Sequence, residues 1–158
     1  IPDMHNNFAI INTQKSLSKI GADSQKSQYL PEGSICVSCI ATIGLVSLTT
    51  KLSQTNQQIN SIVPTDKTLR NYILFSMRKI GKEMASMASG GSVFGNINKS
   101  SFLNMLFLIP TNQIIDSFNL KTESIVRTII ENKKEIQSLT ETRDYLLPRL
   151  LSGDVRVE

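Results

Sequence analysis

The sequence predicts an α+β fold, in which a curled, β-rich domain with one packed helix is followed by a single long helix of the coiled-coil type. Three observations lead to this prediction. Short β-rich runs separated by turn residues occupy residues 1–64. A helical period replaces them from Thr65 to about Ala88, and a heptad pattern of apolar residues runs from 111 to 146.

The β-rich part contains several short apolar runs. Turn residues such as Pro31 and Gly33 separate them, because proline presets φ and glycine accepts positive φ. Gly44, inside one run, indicates a bulge or a close approach of two backbones. The predicted strands are Phe8 to Ile11, Ile35 to Ile40, Ile43 to Thr49 and Ile59 to Val63.

The packed helix is predicted from apolar residues that recur at steps of three and four. Thr65 or Asp66 is expected to cap its start, and the glycines after Ser89 to end it. A further apolar run from Phe102 to Ile109 is interpreted as a buried strand that completes a domain of residues 1–110. The helical positions are Leu69, Ile73, Met77, Ile80, Met84 and Met87.

The long helix is predicted over 111–147, with Thr111 as N-cap, and a tail of 148–158 follows it. Residues 111 to 146 would span about 54 Å. A single helix cannot bury its own apolar stripe, so a partner helix is expected. Asn132 and Arg143 interrupt the stripe, either as buried residues that set the register or as exposed ones. The predicted seam is Ile115, Phe118, Ile125, Ile129, Ile136, Leu139 and Leu146.

Charge is unevenly distributed along the chain. Residues 65–110 carry six Lys or Arg against two Asp or Glu, whereas residues 111–158 carry seven against eight. A basic centre fits contact with phosphates, although an ordinary basic surface would account for the charge equally well. The candidate phosphate contacts on the helix are Arg70, Arg78, Lys79 and Lys82.

Several classes of protein are disfavoured. No apolar run approaches the roughly 20 residues that span a bilayer, and no signal peptide is visible, so we expect a cytoplasmic protein without membrane contact. The start at Ile1 suggests a piece of a longer chain. No nucleotide-binding or metalloprotease motif is present, and His5 is the single histidine, so we expect a binder without catalytic residues or a cofactor.

The C-x-x-C formed by Cys36 and Cys39 raises the possibility of a zinc or redox site. No second ligand pair accompanies it, and residues three apart in a strand point to opposite faces. We therefore expect two ordinary buried thiols and no metal site.

The glycine-rich segment 90–99 is the strongest candidate for function. Its glycines allow close approach to a partner, and its polar side chains can contact phosphates or base edges. A plain polar connection is an alternative, as is a nucleotide-phosphate loop, although the glycine spacing matches no known fingerprint. The candidate residues are Ser92, Asn96, Asn98 and Lys99, with His5, Asn6 and Asn7 as a second reading loop.

Four stretches in one order resemble the specificity subunit of type I restriction enzymes. Leu30 to Ser38 with Ala41-Thr42-Ile43-Gly44 resembles the family's "l-P-x-G-d-i-l-v-s" and "g-T-i-G". Thr55 to Ile59 resembles its "t-N-Q-Q-i", and the glycine-rich segment leads into Ile109-Pro110. Leu139 to Gly153 is very similar to "L-x-x-x-R-d-x-L-L-P-k-L-l-S-G". The family usually has a Trp-containing opening segment, which this chain lacks.

The resemblance implies a target recognition domain that reads half of a split sequence in double-stranded DNA, followed by a spacer helix. The spacer would pair with a second spacer helix, in the full subunit or in a homodimer partner. It would also dock the methyltransferase subunits and, through them, the restriction subunit. Two alternatives stay open: a recognition domain of a single-chain restriction-methylation enzyme, and a coiled-coil assembly module without DNA readout.

Overall fold

The protein folds around a mixed sheet. The structure, a computed structural model, describes residues 1–89 and 96–155, apart from the side chains of 87–89. Within that part, the strand order is β1-β3-β2-β4; β2 is antiparallel to both neighbours, and β1 is parallel to β3. The strands are β1 (Ala9–Ile10), β2 (Ile35–Ser38), β3 (Val46–Thr49) and β4 (Ile59–Ile62). Each lies inside a predicted run.

Helices cover the sheet. Helix α2 contacts β2 and β3, and helix α4 contacts α2 and β1. Leu74, Met77 and Val126 are buried against Ile35 and Val37 in one core, so the α+β prediction is confirmed. The helices are α1 (Lys19–Asp23), α2 (Arg70–Ser89), α3 (Lys99–Leu103) and α4 (Asn112–Ser152), with 3-10 turns at Pro2–Met4, Lys26–Gln28 and Lys67–Leu69.

The start of α2 agrees with the sequence pattern. Oδ1 of Asp66 accepts a hydrogen bond of 2.8 Å from the backbone N–H of Thr68, which opens the 3-10 turn that leads into the helix. This satisfies a donor that the first turn would otherwise leave free. The prediction that Asp66 is one of two possible caps is therefore confirmed.

Gly44 makes the close backbone approach that the sequence predicted. It lies in the β2–β3 loop (residues 39–45), has φ of 86°, and faces Gly81 of α2. A Cβ on either glycine would overlap the carbonyl group of the other. The loop can therefore lie directly on the helix backbone, which fixes the distance between these two elements.

The predicted buried strand from Phe102 to Ile109 is wrong. Oδ1 of Asn98 accepts from the N–H of Ser101 at 2.8 Å and caps the short helix α3, which ends at Leu103. The following residues are not in the sheet. Met105 and Phe107 pack against the core, whereas Leu106 and Leu108 are exposed. The apolar character of this run therefore did not mean burial on both faces here.

Helix α4 is longer than predicted. It runs through Pro148 to Ser152 and ends at Gly153, whose φ is 78°. Proline removes one main-chain hydrogen bond, whereas the left-handed glycine changes the direction of the chain, so Gly153 is the real stop. Thr111 occupies the N-cap position without a side-chain capping bond. The helix is about 62 Å long.

The first part of the predicted seam is not available to a partner. Ile115 is buried in this domain, and Phe118 makes edge-on ring contacts with Tyr72 and Phe75 of α2. Those two assignments are corrected, because the domain itself covers the start of the helix. Ile129 is half-buried, and the exposed part of the seam consists of Ile125, Ile136, Leu139 and Leu146.

Candidate nucleic-acid interface

A cleft of about 420 Å³ lies between three segments of the domain. The N-terminal loop, the β2–β3 loop with the start of β3, and one face of α2 form its walls. It brings together members of two groups that the sequence proposed separately: Asn6 and Asn7 of the second reading loop, and Arg78 and Lys82 of the phosphate contacts. The lining residues are Met4, Asn6, Asn7, Phe8, Gly44, Leu45, Val46, Arg78 and Lys82.

Arg78 is a half-buried cation at this cleft. Its Nη1 donates to the carbonyl of Val46 at 2.9 Å, and its guanidinium lies 5.1 Å from the ring centroid of Phe8. Burial lowers the pKa of the guanidinium. In the described ranges, no carboxylate forms an ion pair with it. A partly buried charge without a counter-ion is costly, so the site favours an anion.

Lys82 adds a second cation on the same face. It is exposed and follows Arg78 by one helical turn, so both charges border the cleft. Lys79 is also exposed but does not line the cleft. The Gly44–Gly81 contact lies between these positions on α2 and holds the loop wall against the cationic wall.

A further wall is the N-terminal turn, from which Asn6 and Asn7 line the cleft, whereas the neighbouring His5 is not part of the lining. His5 and Asn6 are exposed, and Asn6 has a left-handed φ of 57°, a conformation that asparagine tolerates better than most residues. Asn7 is half-buried: its Nδ2 donates to the Asp3 carbonyl at 2.8 Å, and its Oδ1 accepts from Lys133 at 2.7 Å. Asn6, which is exposed and lines the cleft, can therefore contact a ligand there, and Asn7, which also lines the cleft, is bonded so that it supports the turn.

The described part of the glycine-rich segment adjoins the β2–β3 loop. Asn96 forms an isolated bridge with Ile40, and the N–H of Ile97 donates to the Cys39 carbonyl at 2.9 Å. Asn96 and Lys99 are exposed. Ser92 lies outside the described residues. The Oδ1 of Asn98 accepts from the Ser101 N–H and caps α3, and the residue is exposed, so its contact with DNA stays a prediction.

Arg70 is not a free phosphate contact. Its Nη2 donates to both carboxylate oxygens of Glu123 at 2.9 Å, and the buried Asn71 donates to the same carboxylate at 2.7 Å. Partial burial opposes ionisation, but these hydrogen bonds and the Arg70 charge hold the pKa of Glu123 below its usual value. Arg70 instead fastens α2 to α4, because its partner lies 53 residues away on the long helix.

The cysteines form no site with each other. Cys36 and Cys39 are free and buried, and burial raises the pKa of both thiols. Their nearest polar partners are Ser61 and Asn60 respectively. The described residues include no cluster of three or more side chains suited to hold a metal. They also include no helix with the length and hydropathy of a membrane span.

Sequence reasoning missed several residues that shape the cleft. The sequence pattern places Phe8 in a strand and gives it no further role. It does not single out Gly81 or Lys133. Spacing gives no signal for such contacts, because each joins segments that are distant along the chain. Gly81 alone offered a hint, since glycine is unfavourable inside a helix unless a close approach needs it.

Comparisons with known proteins agree on one family. A model of the "Type I restriction modification DNA specificity domain" matches residues 2–141. The type I restriction enzyme HindI specificity subunit of Haemophilus influenzae is 46% identical over 157 residues, which are 98% of this chain and 34% of that protein. The MjaIX specificity subunit of Methanocaldococcus jannaschii is 29% identical over 104 residues, 63% of this chain and 24% of that protein.

A solved structure is also similar. It comes from a study of the "complex assembly and conformational transition of the type I R-M system", has a TM-score of 0.46 and 17% identity, and covers 71% of this chain and 29% of the other. The chain thus spans about a third or less of the length of the proteins it matches.

Proposed function

The chain belongs to the type I restriction modification DNA specificity domain family, and from this premise we propose that it reads one half of a bipartite target in double-stranded DNA. Residues 1–110 would form the target recognition domain. The helix predicted at 111–147 would act as the spacer, with 148–158 as a tail. In this proposal the chain recognises DNA, and other subunits of a cytoplasmic complex carry out methylation and ATP-dependent cleavage.

The observation that carries the proposal is the cationic cleft. Arg78 is half-buried without a carboxylate partner in the described residues, and Lys82 lies beside it. Phosphates would supply the missing anion and position the domain on the duplex. Bases would be read by the exposed side chains on either side, and we propose His5, Asn6, Asn96 and Lys99 for this role, with Ser92 from the glycine-rich segment.

A second observation supports an assembly role for the same chain. Beyond its contact with the domain, α4 leaves Ile136 and Leu139 more than 60% exposed, and Leu147 half exposed. A folded helix with such a stripe requires a partner helix. We propose that a second spacer helix covers the stripe. The paired helices would then dock the methyltransferase subunits and, through them, the restriction subunit.

The charge at the cleft can be tested by substitution of Lys82. The full-length protein is purified in complex with its partner subunits, and the target is identified from the modified bases of the host genome. We expect Lys82→Ala to weaken binding to target and unrelated duplexes alike, and to reduce the slope of log K against log salt by about 0.9. Lys121→Ala, which removes an exposed lysine of α4, is the matched control.

Two results would contradict the proposal. One is a wild-type complex that binds target and unrelated duplexes equally at every salt concentration. The other is a Lys82→Ala protein whose salt slope equals that of Lys121→Ala.

A further inference from the structure

One hydrogen bond joins the long helix to the loop at the cleft. Nζ of Lys133 on α4 donates to Oδ1 of Asn7 at 2.7 Å, across 126 positions of sequence. Lys133 is half-buried and lies two turns after the buried Val126, on the face of α4 that packs against the domain. Among the described side chains of α4, it is the last one that hydrogen-bonds to the domain.

Asn7 forms hydrogen bonds through both its backbone and its side chain. Its N–H donates to the Met4 carbonyl at 3.2 Å, and its carbonyl accepts from the Ser47 hydroxyl at 2.6 Å. Its Nδ2 donates to the Asp3 carbonyl, which leaves Oδ1 to Lys133. The residue therefore connects the N-terminal turn, β3 and α4, and it fixes the backbone from which Asn6 projects.

The position of Lys133 is not explained by ion pairing. In the described part of the chain, no carboxylate forms a salt bridge with it, so its half-buried charge is directed at a neutral amide oxygen. A charge-assisted bond of this kind is stronger than one between neutral groups. A side chain that only covered the domain surface would not need the charged amino group of Lys133.

We propose that Lys133 is a positioning residue for DNA readout: it holds the loop of Asn6 in place from the spacer helix. This inference rests on the proposed function. Lys133 would contact no nucleotide itself. Through this bond, a change in the position of α4, such as one caused by pairing with a second spacer helix, would shift the reading loop.

The test compares Lys133→Met with Lys134→Met in the full-length complex. Methionine keeps the stem of lysine but removes the donor, and Lys134 is an exposed neighbour that forms no hydrogen bond or ion pair with the residues that the structure describes. The probes are a duplex with the target found by sequencing modified bases of the host genome, and an unrelated duplex. We expect Lys133→Met to lower target affinity about tenfold, as for one charge-assisted hydrogen bond. Affinity for the unrelated duplex and the salt slope should stay unchanged.

Lys133→Arg, which retains donors at this position, should keep most of the target affinity, and thermal unfolding should show that all variants fold. A Lys133→Met protein that behaves like Lys134→Met would overturn the inference. So would a uniform loss on both duplexes with a salt slope reduced by about 0.9, since that result means direct phosphate contact. Failure of the wild-type complex to prefer its target would instead refute the proposed function.

Discussion

Arg78 illustrates how one residue can serve both fold and binding. Its bond to the Val46 carbonyl and its contact with Phe8 fix the start of β3 against α2, while its charge faces the cleft. Substituting it would disturb both functions at once. Lys82 lines the same cleft but is exposed, and it makes no such contact with the described residues. Its substitution can therefore test binding without disturbing the fold.

The glycine contact beneath the cleft gives a prediction of stability. Gly44→Ala should destabilise the protein by about 2–4 kcal/mol, because the new methyl group overlaps the Gly81 carbonyl and the positive φ is unfavourable. Gly153→Ala is the matched control: it has a similar φ but nothing within 4 Å, and about 1 kcal/mol is expected. Urea unfolding measures both. Equal losses would mean that the backbone approach is not close in solution.

Residue types were predictable from the sequence, whereas their partners were not. Arg70 and Arg78 belong to the same basic stretch, yet the first pairs with Glu123 and the second with no carboxylate in the described residues. The sequence is compatible with Asn98 as a base contact or as a helix cap, and the structure shows its Oδ1 accepting from the N–H of Ser101 as the cap of α3. Charge and polarity alone do not distinguish these cases.

At the scale of elements, local periodicity was the reliable signal. Apolar residues at steps of three and four predicted where α2 and α4 lie in the sequence, although not their full bounds. Short β-rich runs predicted the strands. The strand predicted from Phe102 to Ile109 is wrong, because four of the seven apolar side chains in that run are exposed and a capping asparagine precedes it. Whether an apolar residue is covered depends on neighbours that the run itself does not contain.

Helix α4 carries apolar residues that the domain covers and others that it leaves exposed. Ile115 and Val126 are buried, and Phe118 contacts the rings of α2. Ile136 lies five whole turns after Phe118, and so on the same side of the helix, yet it is 61% exposed. The difference is therefore one of position along the helix, because α4 extends past the part of the domain that covers its start. The sequence pattern joined the covered and the exposed residues into one seam.

The exposed face predicts the behaviour of α4 in assembly. Leu139→Asp should leave the stability of the monomer unchanged, since the side chain is 62% exposed, but weaken pairing with the partner helix about a hundredfold or more. Leu120→Asp is the control, because Leu120 is 84% exposed on another face of the helix. Light scattering after gel filtration measures the assembled mass. Intact assembly with Leu139→Asp would show that this face is not the contact.

At the scale of the whole molecule, the cleft is a product of topology. Parallel pairing of β1 with β3 carries the N-terminal loop to the same end of the sheet as the β2–β3 loop, and α2 crosses beside them. The sequence supplied candidates from two of these three walls as separate groups. It could not predict that Asn6 and Asn7 line the same cleft as Arg78 and Lys82, because non-local strand pairing brings them together.

Photo-crosslinking tests the location of DNA most directly. Lys82 is replaced by p-benzoylphenylalanine in the full-length complex, which is irradiated with a duplex carrying the target; Lys121 replaced in the same way is the control. We predict a covalent adduct with DNA from position 82 and none from position 121. A complex that binds the duplex but gives no adduct from position 82 would contradict the cleft as the DNA contact.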